Sequence, residues 1–436
     1  MKSRIIVAGA GHGGLSAAAS LAQAGFDVTV IEKKQRKDTG FDWHDTFRIN
    51  CFTDAGIPLP PPESYITSFP LTFTNPAKTV KLSVPDTNDG TNCSMDRKYL
   101  INYLIKHAEN SGVKFCFGTE VTGIIADSNG ISGIVTTDKK KKSAIFADLV
   151  IDACGMNSAV RRLLPSITAI SNDINSDSIF TAYRAYFSRR SETNPPHPYT
   201  VHLFHLKKPG ISWVIAHKDY FDILIGRFGN ELTDEDINEA IDDLQKEYPS
   251  IGNNIIRGGS VEPIPLGRTL PLIVADGYAA VGDSAAMTIP IMGSGIANSI
   301  RAGRLLADTV ISHCADSFTR KSLWKYQYDY FTRIGNNLVI ADKLREICTR
   351  ISAEDIDYAM EKELLCQNDI TSGITDGFST GYIVQKIIKA LPKLPVITSA
   401  AITLSKHNSI KKVLSEMPEE YDEELVMKWI KSYNDI

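Results

Sequence analysis

The sequence predicts an α/β fold: a Rossmann-like nucleotide domain of the glutathione-reductase type, an inserted antiparallel-sheet α+β domain, and a helical C-terminal region. Three observations carry this. Residues 1–34 hold a glycine-rich turn between two short apolar runs. Residues 181–228 hold four strand-like segments with short connections, and from residue 296 onward the patterning is helical.

The first stretch organises the rest. Ile5 to Ala8 is a short apolar run suited to a buried parallel strand, and Gly9-Ala10-Gly11-His12-Gly13-Gly14 supplies G-x-G-x-x-G. Leu15 to Ala24 forms a small-residue helix, and Phe26 to Ile31 a second strand ending on Glu32. Gly9 allows the tight turn, Gly11 lets the backbone approach a pyrophosphate, and Gly14 lets the helix pack on the sheet. His12 and Gly13 lie in the same phosphate turn, over which the helix N-terminus favours an anion. Glu32 is placed to hold the two ribose hydroxyls of an adenosine.

Composition bounds the function. The 436 residues exceed one ordinary domain, and 43% hydrophobic with 22% charged residues is the mix of a folded soluble chain. A net charge of -4 gives no basic surplus for nucleic acid. The 7 cysteines are odd in number and scattered without a C-x-x-C pair, so no metal set is expected and a reducing, cytoplasmic setting fits. The basic and apolar N-terminus resembles a signal peptide, but its glycines belong to the turn. No apolar run is long enough to span a bilayer.

The remaining elements follow in order. Gly40-Phe41-Asp42-Trp43-His44-Asp45 is expected as a loop near the nucleotide, rich in aromatic and titratable groups. Phe69 to Val84 alternates as a hairpin and opens the second domain. Asp96 caps a helix with Tyr99, Leu100, Tyr103, Leu104 and Ala108 on its apolar stripe. Val121 to Ile125 and Ile131 to Thr137 pair around Asn129-Gly130, and Lys139 to Lys142 form a solvated tip. Ala147 to Ala153 is a buried strand leading into the Cys154-Gly155 turn. Asp234 to Tyr248 is an amphipathic helix, and Ile255 to Pro263 leads back out. Gly282-Asp283 closes another strand, and Gly293-Ser294-Gly295 opens the helix beginning at Ile296. Two helix N-termini used in this way suit a long, doubly anchored ligand such as FAD. The implied boundaries are 1–68, 95–170 and 265–313 for the FAD-binding domain, 69–94 and 171–264 for the substrate domain, and 314–436 for the helical region.

GAGHGG at 9–14, MDR at 95–97, CGMNSAVRR at 154–162 and VADGYAAVGDSAAMTIPIMGSGIANSIRAGRLLA at 274–307 resemble the FAD-dependent aromatic-hydroxylase superfamily, and within it the geranylgeranyl reductase family. The resemblance implies that Glu32 and Lys33 sit by the adenosine, with Arg97 and Val121 beside the nucleotide. It places Cys154 and Gly155 at the middle motif, and Gly282 and Asp283 at the ribityl and pyrophosphate region. Gly293, Ser294, Gly295 and Ile296 would face the pyrimidine side of the flavin. It implies a reductase of carbon–carbon double bonds in a hydrophobic, isoprenoid-type substrate; the alternative is a monooxygenase of an apolar substrate. An idle flavin-fold interaction module is the reading from another class, and FAD retention discriminates against it. Cys154 stands where the superfamily has aspartate, which favours ferredoxin or flavodoxin over free NAD(P)H as electron donor. Of the aromatic-Trp-Phe-Pro signature only Trp213 remains, expected as a pocket wall. His44, Cys51 and Tyr183 are the candidate proton donors. His202, His205 and His217 are not expected to bind metal, because His–x–x–His spacing on a strand points to opposite faces. A monomer or homodimer is expected. Val384, Ile387, Ile388, Leu391, Ile402, Leu404, Ile410 and Leu414, interleaved with lysines, are expected to touch a membrane surface, or else to cap the substrate domain or form a dimer contact.

Overall fold

The computed structural model describes all residues except 1, 68–69, 85–90, 140, 230, 291, 315–316 and 364–406. The chain opens with β1 (Arg4–Ala8), α1 (His12–Gln23) and β2 (Asp27–Glu32), the two strands pairing in parallel around the crossover helix. Next come β3 (His44–Arg48), α2 (Cys51–Asp54), β4 (Tyr65–Ile66) and the hairpin β5 (Leu71–Thr74) and β6 (Lys81–Val84). β7 (Asn92–Asp96) runs into α3 (Arg97–Asn110), where the Asp96 carboxylate accepts from the Tyr99 N–H at 2.8 Å. The first half closes with β8 (Lys114–Phe117), β9 (Glu120–Asp127), β10 (Gly130–Asp138), β11 (Lys141–Phe146), β12 (Leu149–Asp152) and the short α4 (Ala159–Arg162).

The second half begins with β13 (Ile179–Arg189), β14 (Tyr199–Leu203), β15 (Gly210–Ala216), β16 (Tyr220–Phe228), α5 (Asp234–Glu247) and β17 (Ile251–Pro265). β18 (Val274–Ala275), β19 (Tyr278–Ala280) and α6 (Ile296–His313) return to the nucleotide fold. Helices α7 (Arg320–Tyr330), α8 (Asn336–Cys348), α9 (Ala353–Glu361), α10 (His407–Ser415) and α11 (Glu423–Asn434) follow.

Two large sheets position the site. The first has the order β18-β19-β12-β1-β2-β8, and its buried strands form the main core with α1 and α6. The second has the order β17-β13-β16-β15-β14-β5-β6. One face of it packs Tyr183, Ala185 and Phe187 against Ile237, Ala240 and Leu244 of α5. Residues of opposite parity, among them Ala182 and Arg184, turn the other way, into the cavity.

Several expectations are corrected here. The stretch at His44 is strand, not loop: β3 pairs with β7, which also holds β4. Ile255 to Pro263 is the middle of a fifteen-residue edge strand along β13. The inserted sheet is not wholly antiparallel, because β5 joins β14 in parallel. Tyr99 is exposed, and Ile101 and Ile105 take the buried stripe of α3 instead. Lys141 and Lys142 lie on β11, exposed as expected. Ile410 and Leu414 are buried in the main core with α11, so they cannot meet a membrane surface. The other apolar positions of that expectation lie outside the described residues.

Candidate active site

A single cavity of about 1790 Å³ runs between the two large sheets. At one end the phosphate turn supplies Ala10, Gly11, His12 and Gly13 to its wall. α1 has no side-chain cap and no acid in its first turn, so its leading N–H groups remain as donors toward the cavity. Gly9 has φ +92°, a left-handed conformation that favours glycine. A Cβ at Gly11 would lie 2.8 Å from the Ala153 carbonyl oxygen, and one at Gly13 would lie 2.6 Å from that of Ser299. The turn is thus confined by the protein itself, beyond the ligand approach that its glycines suggest. Glu32 Oε2 accepts from the Ala10 N–H and Oε1 from the Lys34 N–H, both at 2.8 Å, which fixes the carboxylate on the cavity wall.

The second helix terminus meets the same space. Gly293, Ser294, Gly295 and Ile296 line it, and α6 likewise has neither a side-chain cap nor an acid in its first turn. Thr288 Oγ1 donates to Asp283 Oδ1 at 2.7 Å, while burial pushes the Asp283 carboxyl above its ordinary range. Gly282, Cys154 and Gly155 complete this wall. The Cys154 N–H donates to Asp152 at 3.0 Å and its thiol to the Ala8 carbonyl at 3.2 Å. Burial and the Asp152 charge raise the Cys154 thiol, so this position carries no negative charge.

Arg97 pairs with Asp45 and lies 5.3 Å from the centre of the Phe41 ring. Burial, and then the Arg97 charge, lower His12 to about 3, leaving a neutral imidazole whose Nε2 is buried without a partner among the described residues. On the sheet face, Arg184 grips Asp222 with Nε–Oδ1 at 2.9 Å and Nη2–Oδ2 at 2.5 Å. The same guanidinium donates to the His44 carbonyl and lies over Trp213 at 5.0 Å. Tyr186 accepts from the His44 N–H at 2.7 Å, and its hydroxyl is 3.2 Å from His44 Nδ1. The phenol proton suits that Nδ1, which leaves the imidazole proton on Nε2.

The structure therefore brings His44, Trp213, Lys33, Glu32 and Arg97 to one cavity with both glycine loops. It does not bring Cys51 there. That side chain is fully buried in the main core, and burial raises its thiol to about 12. Val121 is also a core residue, and Tyr183 faces α5. Gly9 and Gly14 lie behind the turn rather than among the wall residues. Sequence reasoning missed Arg184, Tyr186 and Asp222, and named Asp45 only within the titratable stretch 40–45. A lone arginine and a lone aspartate in neighbouring apolar strands were the available signal.

On the far side of the sheet, His202 and His205 meet with ring centres 5.3 Å apart. The expectation of opposite faces fails because Phe204 and Leu206 take left-handed conformations that fold the strand end over. His205 joins Ser212 at 3.0 Å and Asp243 at 2.9 Å, but Ser212 is fully buried away from the cavity, so this chain of groups is structural. Among the described residues, no group of three or more His, Cys, Asp or Glu is arranged to hold a metal. Burial lowers His202 from 6.5 to about 3. The unfolded chain then takes up a proton below about pH 6.5 that the folded chain refuses, so stability falls as pH drops from there toward about 3. At about pH 5 the loss from this one histidine is about 2 kcal/mol. Urea unfolding at both pH values checks this: His202→Gln should reduce the pH dependence by that amount, and an unchanged slope would contradict it.

Residues 2–252 match the FAD binding domain family. The chain belongs to that family. This flavoprotein is 20% identical to the digeranylgeranylglycerophospholipid reductase of Sulfolobus acidocaldarius, over 96% of this chain and 94% of the relative. The reductase of the same description from Methanocella arvoryzae is 26% identical, over 82% of this chain and 91% of its own. A geranylgeranyl bacteriochlorophyll reductase-like structure from Thermoplasma acidophilum superposes with a TM-score of 0.77 at 18% identity, covering 92% of this chain and 99% of that one. That likeness shows the fold. FAD is the cofactor, and FAD-dependent redox catalysis is the activity class. The site fits it: two uncapped helix ends and the backbone-fixed Glu32 suit a dinucleotide, and the buried, unpartnered His12 Nε2 points to a polar ligand. Among the described residues, no helix is long and apolar enough to cross a membrane.

Proposed function

We propose that this flavoprotein reduces carbon–carbon double bonds of a hydrophobic, isoprenoid-type substrate. The observation that supports it most is that one cavity joins the polar cradle to an apolar sheet face carrying Phe73, Val201, Leu203, Ile211 and Leu224. The reductase names of the relatives point the same way. Bound FAD would supply the two electrons of such a reduction.

The chain's own residues do the rest. Gly11, Gly13 and Glu32 hold the dinucleotide, and Asp283 with the Gly293 to Gly295 loop holds its other half. The apolar strands exclude water and align the alkene. Arg184, fixed by Asp222, braces the His44 carbonyl and so keeps the imidazole against Tyr186. His44 Nε2–H is the group we assign to proton supply; Tyr186 holds the ring through Nδ1, and the half-buried imidazole regains its proton from water after each turnover. Cys51 has no part in it. Electron supply by a small carrier such as ferredoxin or a flavodoxin is our expectation, since the neutral Cys154 replaces the superfamily's aspartate. Oxygen uptake tests the reaction class: with donor and polyprenol present, product should form without dioxygen consumption. One dioxygen consumed per product would instead establish the monooxygenase.

A further inference from the structure

We infer that helix α9 is the stop that sets how long a hydrophobic chain the cavity accepts. The inference rests on the proposed class of substrate. The cavity lining reaches from β17 to β5 of the seven-stranded sheet. At the β17 edge, Glu262 joins the wall near the charges of Lys33 and Lys34, beside the nucleotide turn. From β17 to β5 is five strand steps, or about 24 Å at roughly 4.8 Å per step. Beyond the internally paired Arg184 and Asp222, the face carries Leu224, Ile211, Val201, Leu203 and Phe73, so a chain lying across it runs from the cradle toward the β5–β6 hairpin.

α9 stands at that hairpin. Ile356 and Ala359 of α9, with Ile351 and Cys348 just before it, line the cavity. The helix is held by carboxylates on a different stripe. Asp357 Oδ1 accepts from Asn75 Nδ2 at 2.6 Å and from the Ala77 N–H at 2.8 Å. Glu361 accepts from Thr79 Oγ1 at 3.1 Å, and Glu354 pairs with Lys207 at 3.1 Å. Positions 354, 357 and 361 fall on one helical face by their spacing of three and four. The acidic stripe thus ties α9 to the edge of the substrate sheet, and Ile356 and Ala359 are set as its inner surface. Ala359 is 6% exposed and small, so its replacement by a larger residue moves the wall inward. Truncating Ile356 moves it outward.

The experiment uses the full-length, FAD-loaded protein and all-trans polyprenols of two to six isoprene units, with binding followed by tryptophan fluorescence and native mass spectrometry. Wild type should show a sharp longest chain. Ala359→Phe should shorten that limit by one isoprene unit, weakening the longest wild-type ligand at least tenfold. Ile356→Ala should extend it by one unit, and decides the matter alone if the larger substitution prevents folding. An unchanged limit in folded, FAD-containing Ile356→Ala would overturn the inference. Prenols that bind with variant-dependent limits yet are never reduced would support the role of α9 while overturning the reductase reading.

Discussion

Asp222→Ala is expected to lower folding stability by about 3–5 kcal/mol, because it leaves a buried guanidinium without its counter-charge. Arg184 is 7% exposed and Asp222 is 1% exposed, and the pair is joined by two hydrogen bonds in parallel. Burial alone would disfavour the arginine charge, but Asp222 more than offsets this and holds Arg184 above its ordinary range. Once alone, the cation keeps the His44 carbonyl, the Trp213 and Tyr186 ring faces and the Asp45 charge as compensation. The double variant Arg184→Met with Asp222→Leu should recover much of the loss, since apolar residues of similar volume often replace a buried pair at little cost. Urea denaturation of the FAD-loaded proteins measures both. A loss below about 1 kcal/mol in Asp222→Ala would mean that the pair contributes no more than a surface contact.

Gly11→Asp should yield a folded but colourless protein. Its new Cβ would meet the Ala153 carbonyl oxygen at 2.8 Å, so the turn must shift before any ligand arrives. Its carboxylate would then stand where the N–H groups of α1 are arranged to meet a phosphate. Two like charges about 4 Å apart repel by about 4 kcal/mol in a medium of intermediate polarity, roughly a thousandfold in affinity. Flavin absorbance per mole of purified protein measures the outcome. Wild-type FAD stoichiometry would show that this turn does not bind the cofactor.

The nucleotide half is legible in the sequence because its determinants are local. A glycine turn, the apolar runs on either side and Glu32 lie within thirty-odd residues, and the helix beginning at Ile296 starts where Gly293-Ser294-Gly295 places it. The sheet of β3, β7 and β4 is hidden because HDTFR and YI show no clean alternation, and NCSMD, which does alternate, is only five residues long and runs straight into α3. β17 is obscured by Gly258, Gly259 and Pro263, which read as breakers although an edge strand tolerates them. In the site, backbone-dictated positions such as Glu32 and Asp283 could be foreseen. The pairs Arg184–Asp222 and Arg97–Asp45 could not, since each joins residues far apart in sequence through strand pairing. Cys51 misled for a related reason: its place after β3 is near the cavity, but α2 turns the side chain into the core. The lysine-rich C-terminal stripe has the moment of a membrane contact, yet Ile410 and Leu414 show that it can equally serve the core.

The central claim is that one cavity holds FAD and an unsaturated apolar chain for reduction. The direct measurement is an anaerobic single turnover: chemically reduced, FAD-loaded protein mixed with a polyprenol, followed by flavin absorbance and product mass. The oxidised flavin spectrum should reappear in step with a gain of two hydrogens per flavin turned over. Flavin that stays reduced without oxygen, with product appearing only under air and carrying one added oxygen atom, would contradict it.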